Sequence, residues 1–185
     1  MPETALPPIF VQLEGVVAER RPWRPGGRDG GWDLLPDLDD GLRRLAQVGE
    51  PLVLLVEPPE TADQGWRGPE PLDDVRAALT HGGPELIFMG CPHTPDQTCD
   101  CRRPGAGLIE MALDRHHLSR GGWLICADQE SVQAGRTAGL HTIRVGPLTQ
   151  DHRAAVHRAD YEARDLRDAA NWILMQSLAP MGEPA

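Results

Sequence analysis

Pro8-Ile9-Phe10-Val11-Gln12-Leu13-Glu14-Gly15 is the stretch that decides the fold. Pro8 to Val11 opens as a buried strand, and the chain turns polar immediately after it. Four further short apolar runs repeat the pattern: Pro51 to Val56, Glu85 to Gly90, Gly122 to Ala127 and His141 to Val145. Between them apolar residues recur at helical spacing. Leu38, Leu42, Leu45 and Ala46 follow a candidate cap at Asp37, then come Leu72, Val75, Ala78 and Leu79, then Leu108, Ile109, Ala112 and Leu113. Val132 to Ala138 is a short helix closed by Gly139, and Leu166, Ala169, Ala170 and Ile173 line a last helix from about Tyr161 to Leu178. Parallel neighbours need crossover connections, so this alternation predicts an α/β fold. The expectation is a Rossmann-like three-layer sandwich around a central parallel sheet of about five strands. Ligands in such folds sit at the carboxyl ends of the strands, just after Val11, Val56, Gly90 and Ile125.

The chain has 185 residues, which predicts one domain over 1–180 with a short tail at 181–185. The longest aliphatic run, Leu52 to Val56, is far short of the ~20 residues a membrane helix needs. A net charge of −10 disfavours nucleic acid, which is bound by neutralising phosphate. Neither a membrane nor a nucleic acid is therefore expected as a partner. All 18 basic residues are Arg, so Schiff-base and lysine-base chemistry is excluded. The acidic N-terminus is unlike a secretory leader, and clustered cysteines suit a reducing, cytoplasmic setting. Arg20 to Gly31 and Glu57 to Glu70 are long irregular segments on the ligand side, each readable as a lid or as a solvated loop. Trp23 and Trp66 in these segments, and Trp32 directly after the first, read as contact surfaces for a partner or as loop packing. His81, His141, His152 and His157 have no context that lifts them above background, whereas His116 and His117 read either as bases for a different reaction or as surface residues of a helix.

Cys91-Pro92-His93 and Cys99-Asp100-Cys101 place three thiols and an imidazole within eleven residues. Cys91, His93, Cys99 and Cys101 read as a closed tetrahedral set for structural Zn2+, because the soft thiolates and the imidazole match that ion; a disulfide or a chance cluster is the other reading. Pro92, Pro95 and Pro104 favour an irregular loop over a helix. Cys126, alone in a strand, reads as a small core residue. Arg102 and Arg103 follow the last ligand, so a metal would fix where their guanidinium groups point. They read either as a phosphate clamp or as surface arginines paired to acids.

Cys91-Pro92-His93, then Cys99-Asp100-Cys101-Arg102-Arg103-Pro104 with Gly107, resembles the zinc loop of the haloacid-dehalogenase (HAD) superfamily phosphatases. The branch is that of D-glycero-D-manno-heptose 1,7-bisphosphate 7-phosphatase and histidinol-phosphate phosphatase. Trp32-Asp33-Leu34-Leu35-Pro36 resembles the family's entry to its first helix, Gln133 to Gly139 its last turn, and Ala159-Asp160-Tyr161 to Trp172-Ile173-Leu174 its closing helix. The resemblance implies an aspartate nucleophile and an aspartate acid/base, one residue apart, at the end of the first strand. Gln12 stands in the first place and Glu14 in the second. An amide has no anionic oxygen to attack phosphorus and brings no charge to a magnesium site, which weakens the case for Mg2+. The threonine of the second motif falls on Val56, and the lysine of the third on Arg103. The magnesium-binding positions of the fourth fall on Ala127 and Ser131, with Cys126 before them, while a one-residue shift would bring in Asp128.

These replacements predict a pseudoenzyme: a HAD-like zinc-binding protein that takes a phosphorylated small molecule or a protein partner. Arg102 and Arg103 are its candidate anion contacts. The rival expectation is an active phosphate-monoester hydrolase with Glu14 and Asp128 as catalytic groups, or a HAD-fold enzyme with a different reaction.

Overall fold

The computed structural model describes residues 7–21, 31–36, 38–48, 51–57, 72–79, 86–93, 96–147 and 157–178. Trp23, Glu60, Trp66, His81, His152, the tail at 181–185 and most of the two irregular segments lie outside them.

Every residue of β1 (Ile9–Gln12) is buried, as a strand covered on both faces requires. It leads into a small antiparallel hairpin, β2 (Ala18–Arg20) with β3 (Trp32–Leu34), in which Ala18 faces Leu34. Helix α1 (Leu38–Leu45) buries Leu38, Leu42 and Leu45 at helical spacing, with Arg44 paired to Asp40 one turn earlier. Then follow β4 (Leu52–Val56), α2 (Asp73–Leu79), β5 (Leu86–Gly90), α3 (Gly107–Arg115), β6 (Trp123–Cys126), α4 (Gln129–Thr137), β7 (His141–Val145), β8 (Tyr161–Ala163) and α5 (Leu166–Leu178).

The main sheet is six-stranded, ordered β5-β4-β1-β6-β7-β8, and its paired strands all run parallel. Alternate residues of each strand serve two cores. Ile9, Val11, Leu52, Leu54, Ile125 and Ile143 pack with α1 and α5; Phe10, Val53, Leu124 and Cys126 pack with α3 and α4. The three-layer α/β expectation holds, with one strand more than expected.

That strand is β8. Sequence periodicity assigned Tyr161 onward to the last helix, but residues 161–163 pair with β7 and the helix begins at Leu166. Asp160 sets the register by accepting from the amide (2.7 Å) and hydroxyl (3.1 Å) of Thr142 on β7. Beside it Arg144, only 2% exposed, meets Glu162 at 2.6 Å across the same strand pair. Two of its three residues being polar or amphipathic, β8 offers no apolar run to read. Trp32 to Leu34, expected at the entry to the first helix, forms the second hairpin strand and stands just before α1. The hairpin replaces the described part of the expected Arg20 to Gly31 loop.

The strand order places the ligand crevice. From β1 the chain moves one way to β4 and β5, and later returns to the other side of β1 at β6. The carboxyl ends of β1 and β6 therefore flank the point where the connections diverge, which is where open α/β sheets bind ligands. Gly15 lets the chain turn away there. Its φ is +80°, and a Cβ would lie 2.7 Å from the Ala127 side chain. Gly15→Ala is expected to cost roughly 2–3 kcal/mol in denaturant unfolding, from the left-handed backbone plus the contact. A loss below about 0.5 kcal/mol would contradict that packing.

Candidate functional site

Gln12 closes β1 with its side chain directed across the divergence point. Its Nε2 donates to Asp128 Oδ2 at 2.9 Å, and its Oε1 accepts from the Ala127 amide at 3.0 Å. Both ends of the amide are thus spent on the loop after β6. Asp128 caps α4 in turn, accepting from the Ser131 amide on Oδ1 (2.8 Å) and from the Ser131 hydroxyl on Oδ2 (3.2 Å). The alignment that put Ala127 and Ser131 at the carboxylate positions left Asp128 one residue away. The structure brings Asp128 to Gln12, while Ala127 contributes its backbone and Ser131 supports the cap.

Arg103 reaches the same carboxylate. Its Nη1 donates to Asp128 Oδ2 at 2.8 Å, its Nε lies 3.3 Å from Glu57 Oε2, and its amide donates to Glu57 Oε1 at 3.0 Å. One guanidinium therefore bridges acids from the ends of β4 and β6. Burial pushes the Glu57 carboxyl up, against the pull of Arg103, with Asp128 and Glu130 adding to the rise. Glu57, expected beside Glu14 as negative charge at the ligand end of the sheet, stands there, and what the sequence does not show is its pairing with Arg103. The signal for its position was its place one residue after a strand.

Glu14 belongs to a different group. It meets Arg20 Nε at 3.4 Å, Arg20 Nη2 donates to the Glu57 carbonyl at 2.7 Å, and the guanidinium lies 4.2 Å over the Trp32 ring. The hairpin is in this way tied to the ends of β1 and β4. Val56 is buried at 2% and offers only aliphatic surface. Gln12, Glu14, Trp32, Val56, Glu57 and Arg103 enclose a cavity of about 30 Å³, room for a single water. A more open cleft of about 550 Å³ adjoins it, with Glu57, Asp96, Asp100 and Glu130 facing Arg102 and Arg103.

The cysteine loop forms the far wall. The donor atoms of Cys91, His93, Cys99 and Cys101 all lie within 4.8 Å of one another, and all the cysteines are free thiols. Cys91 Sγ stands 3.6 Å from His93 Nδ1 and 3.8 Å from Cys99 Sγ, and Cys101 Sγ is 3.4 Å from the same nitrogen. A tetrahedral ion with bonds of about 2.3 Å to sulfur and about 2.0–2.1 Å to nitrogen sets edges of about 3.8 and about 3.5 Å. The residues present fit such an ion. Without one, burial drives the Cys91 thiol up to about 12. Cys99 shifts the other way: burial raises it, but hydrogen bonds led by that from the Arg102 side chain outweigh this. Gly107 helps fold the loop, since a Cβ there would come within 2.6 Å of the Asp100 carbonyl.

Arg102 and Arg103 point apart. Arg102 Nε donates to Cys99 Sγ at 3.4 Å and its Nη2 to the Gln97 carbonyl, so it serves the loop. Arg103 alone faces Asp128. The expected pair of anion contacts is thus divided, as neighbouring residues in a turn direct their side chains differently. Cys126 is fully buried, as a core residue should be. His116, His117, His141 and His157 are exposed and stand outside this group.

Magnesium does not fit the arrangement. Asp128 Oδ2, the oxygen best placed to coordinate a cation between β1 and β6, already receives a guanidinium and an amide N–H. Gln12 adds no charge to offset a divalent ion.

Cys101→Ser is expected to reduce bound metal from about one equivalent to near zero and to lower the melting temperature, because structural metal binding is folding free energy. Metal content and thermal unfolding measure this, and a fully loaded, equally stable variant would contradict the ligand set. A second test uses Glu57. A carboxyl raised in the folded chain keeps its proton longer there than when unfolded, so stability falls as pH rises from about 4.5 through the raised value. Denaturant unfolding of Glu57→Gln across that window should show a shallower fall than the wild type. Equal slopes would count against the buried carboxyl.

No family model matches the chain. Curated relatives do. A stretch of 52 residues is 46% identical to the probable D-glycero-D-manno-heptose-1,7-bisphosphate 7-phosphatase of Thermoplasma acidophilum, covering 27% of this chain and 32% of that protein. The D-glycero-beta-D-manno-heptose-1,7-bisphosphate 7-phosphatase of Pseudomonas putida is 23% identical over 120 residues, 62% of this chain and 68% of its own. The chain thus spans about a third of the first relative's length. Among solved structures, the D,D-heptose 1.7-bisphosphate phosphatase of B. bronchiseptica superposes with a TM-score of 0.66 at 24% identity, covering 92% of this chain and 99% of that one. A haloacid dehalogenase-like family protein from Streptococcus pneumoniae shares the fold at a TM-score of 0.58 and 15% identity. Over part of its length the chain is thus similar in sequence to heptose-bisphosphate phosphatases, and it shares the fold of the solved structures of such a phosphatase and of a haloacid dehalogenase-like protein.

Proposed function

We propose that this protein is a zinc-stapled HAD-fold binding protein that does not hydrolyse phosphate esters through the superfamily's aspartyl route. The observation that carries the reading is Gln12. At the end of β1 it presents an amide whose nitrogen and oxygen are both consumed by Asp128 and Ala127. A nucleophile there needs an anionic oxygen aimed at phosphorus, and an amide held by its own protein supplies none. Glu14 is engaged by Arg20, Val56 gives no hydroxyl, and Asp128 is taken by Arg103. Zinc in the cysteine loop holds the chain segment that carries Arg103. The ligand is a protein partner or a phosphorylated small molecule. The acidic lining of the cleft supports the partner, since Glu57, Asp96, Asp100 and Glu130 would repel an incoming phosphate ester.

A second reading is an active phosphate-monoester hydrolase of heptose-bisphosphate or histidinol-phosphate type. Two observations favour it: the relatives' names, and the carboxylates of Asp128 and Glu14 near the end of β1. It requires Asp128 to leave Arg103 and take a role the superfamily gives to another residue.

Phosphate release from D-glycero-D-manno-heptose 1,7-bisphosphate and from histidinol phosphate, with zinc-loaded protein and magnesium, separates the two. The binding reading expects no turnover, and no rise in melting temperature on adding magnesium. Turnover that disappears in a Glu14→Ala, Asp128→Ala double variant would establish the hydrolase instead.

A further inference from the structure

Asp128 receives hydrogen bonds from unlike donors gathered from distant parts of the chain. Arg103 Nη1 (2.8 Å) comes from the cysteine loop and Gln12 Nε2 (2.9 Å) from β1. The Ser131 amide (2.8 Å) and hydroxyl (3.2 Å) come from the first turn of α4. A guanidinium, an amide N–H₂, a hydroxyl and a backbone N–H at a helix start are the donors that bind a tetrahedral oxyanion. Here they converge on an oxyanion the protein supplies. The side chain of Asp128 is 37% exposed, and its partner Arg103 also lines the 550 Å³ cleft, so an external ligand can reach both.

We infer that Asp128 is the resident anion of this cradle, a specificity-determining residue whose carboxylate closes the site to phosphate, which leaves the protein partner, of the two ligands proposed above, as the one this crevice admits. The inference rests on the reading of the site as one that binds without hydrolysing. Any phosphate entering from the cleft must displace Asp128 from Arg103, and it meets the negative charge of Glu57 on the other side of the same guanidinium. With the carboxylate removed, the donors of Arg103, Gln12 and Ser131 that now meet it lose that acceptor and become open to an external anion.

The test uses the full zinc-loaded chain and inorganic phosphate, titrated calorimetrically at constant ionic strength with chloride as control. Asp128→Ser retains a side-chain cap for α4 while shortening the group that fills the cradle. The Ser variant should bind phosphate at least tenfold more tightly than the wild type, and should lose that binding when Arg103→Met is added. Zinc content and circular dichroism verify its fold. If it does not fold, Asp128→Asn keeps both cap and volume while removing the charge. That variant should bind phosphate more tightly than the wild type. A folded variant that binds no better than the wild type overturns the inference. Phosphate bound by the wild type as tightly as by the Ser variant, with no ester turnover, overturns it too and leaves the binding function standing. Ester turnover by the wild type would remove both.

Discussion

The carboxylate of Asp128 is the point at which separate parts of the molecule are joined. Through it the end of β1 meets the end of β6, the cysteine loop meets α4, and, by way of Arg103, the end of β4 is drawn in. The strands alone would leave their carboxyl ends open, since parallel pairing satisfies the backbone but not the loops that follow. Charge closes the gap. One guanidinium between two carboxylates is a stable local arrangement only while both acids are ionised and close. Exposed ion pairs contribute little, so the half-buried position of Arg103 and Glu57 is what gives this pairing weight. The same burial makes ionisation of Glu57 costly, and its carboxyl is raised even with Arg103 against it.

Arg103 depends in turn on the loop that carries it. Cys91 continues from β5, and Cys101 precedes the arginines by one residue, so the donor cluster sets where the chain leaves the sheet and where it enters α3. The loop has few apolar side chains with which to hold itself. Arg102 is turned inward to a thiol and a carbonyl of the loop, which leaves its neighbour to serve the site. A metal held by Cys91, His93, Cys99 and Cys101 would therefore act on the site from outside it, by fixing the backbone from which Arg103 extends.

Much of this was readable in the sequence because it depends on short-range regularities. Buried parallel strands need apolar runs, and β1, β4, β5, β6 and β7 have them; metal ligands need particular residue types at short spacing, and the cysteine loop has those. What escaped reading depends on side-chain direction or on tertiary pairing. β8 is held by Asp160 and by the Arg144–Glu162 pair rather than by apolar residues of its own. Asp128 was one residue from the aligned position, and only the cap geometry of α4 turns it toward Gln12. The charge of Glu57 at the ligand end was legible from its place after a strand, but its pairing with Arg103 was not, because the two lie 46 residues apart in sequence.

The replacements at the site also compensate one another. Gln12 instead of an acid removes a negative charge beside Asp128 and supplies an N–H that the Asp128 carboxylate accepts. Arg103, longer and forked where a lysine would be a point charge, can engage both Glu57 and Asp128. Ala127, small and partly buried against Gly15, offers its backbone amide to Gln12 and leaves the space to its neighbour. A site that had only lost its catalytic groups would leave donors and acceptors unmatched at the strand ends, at a cost of about 1–3 kcal/mol for each one buried. Here the groups at the strand ends satisfy one another. That mutual satisfaction lets the sheet's crevice stand with no ligand in it.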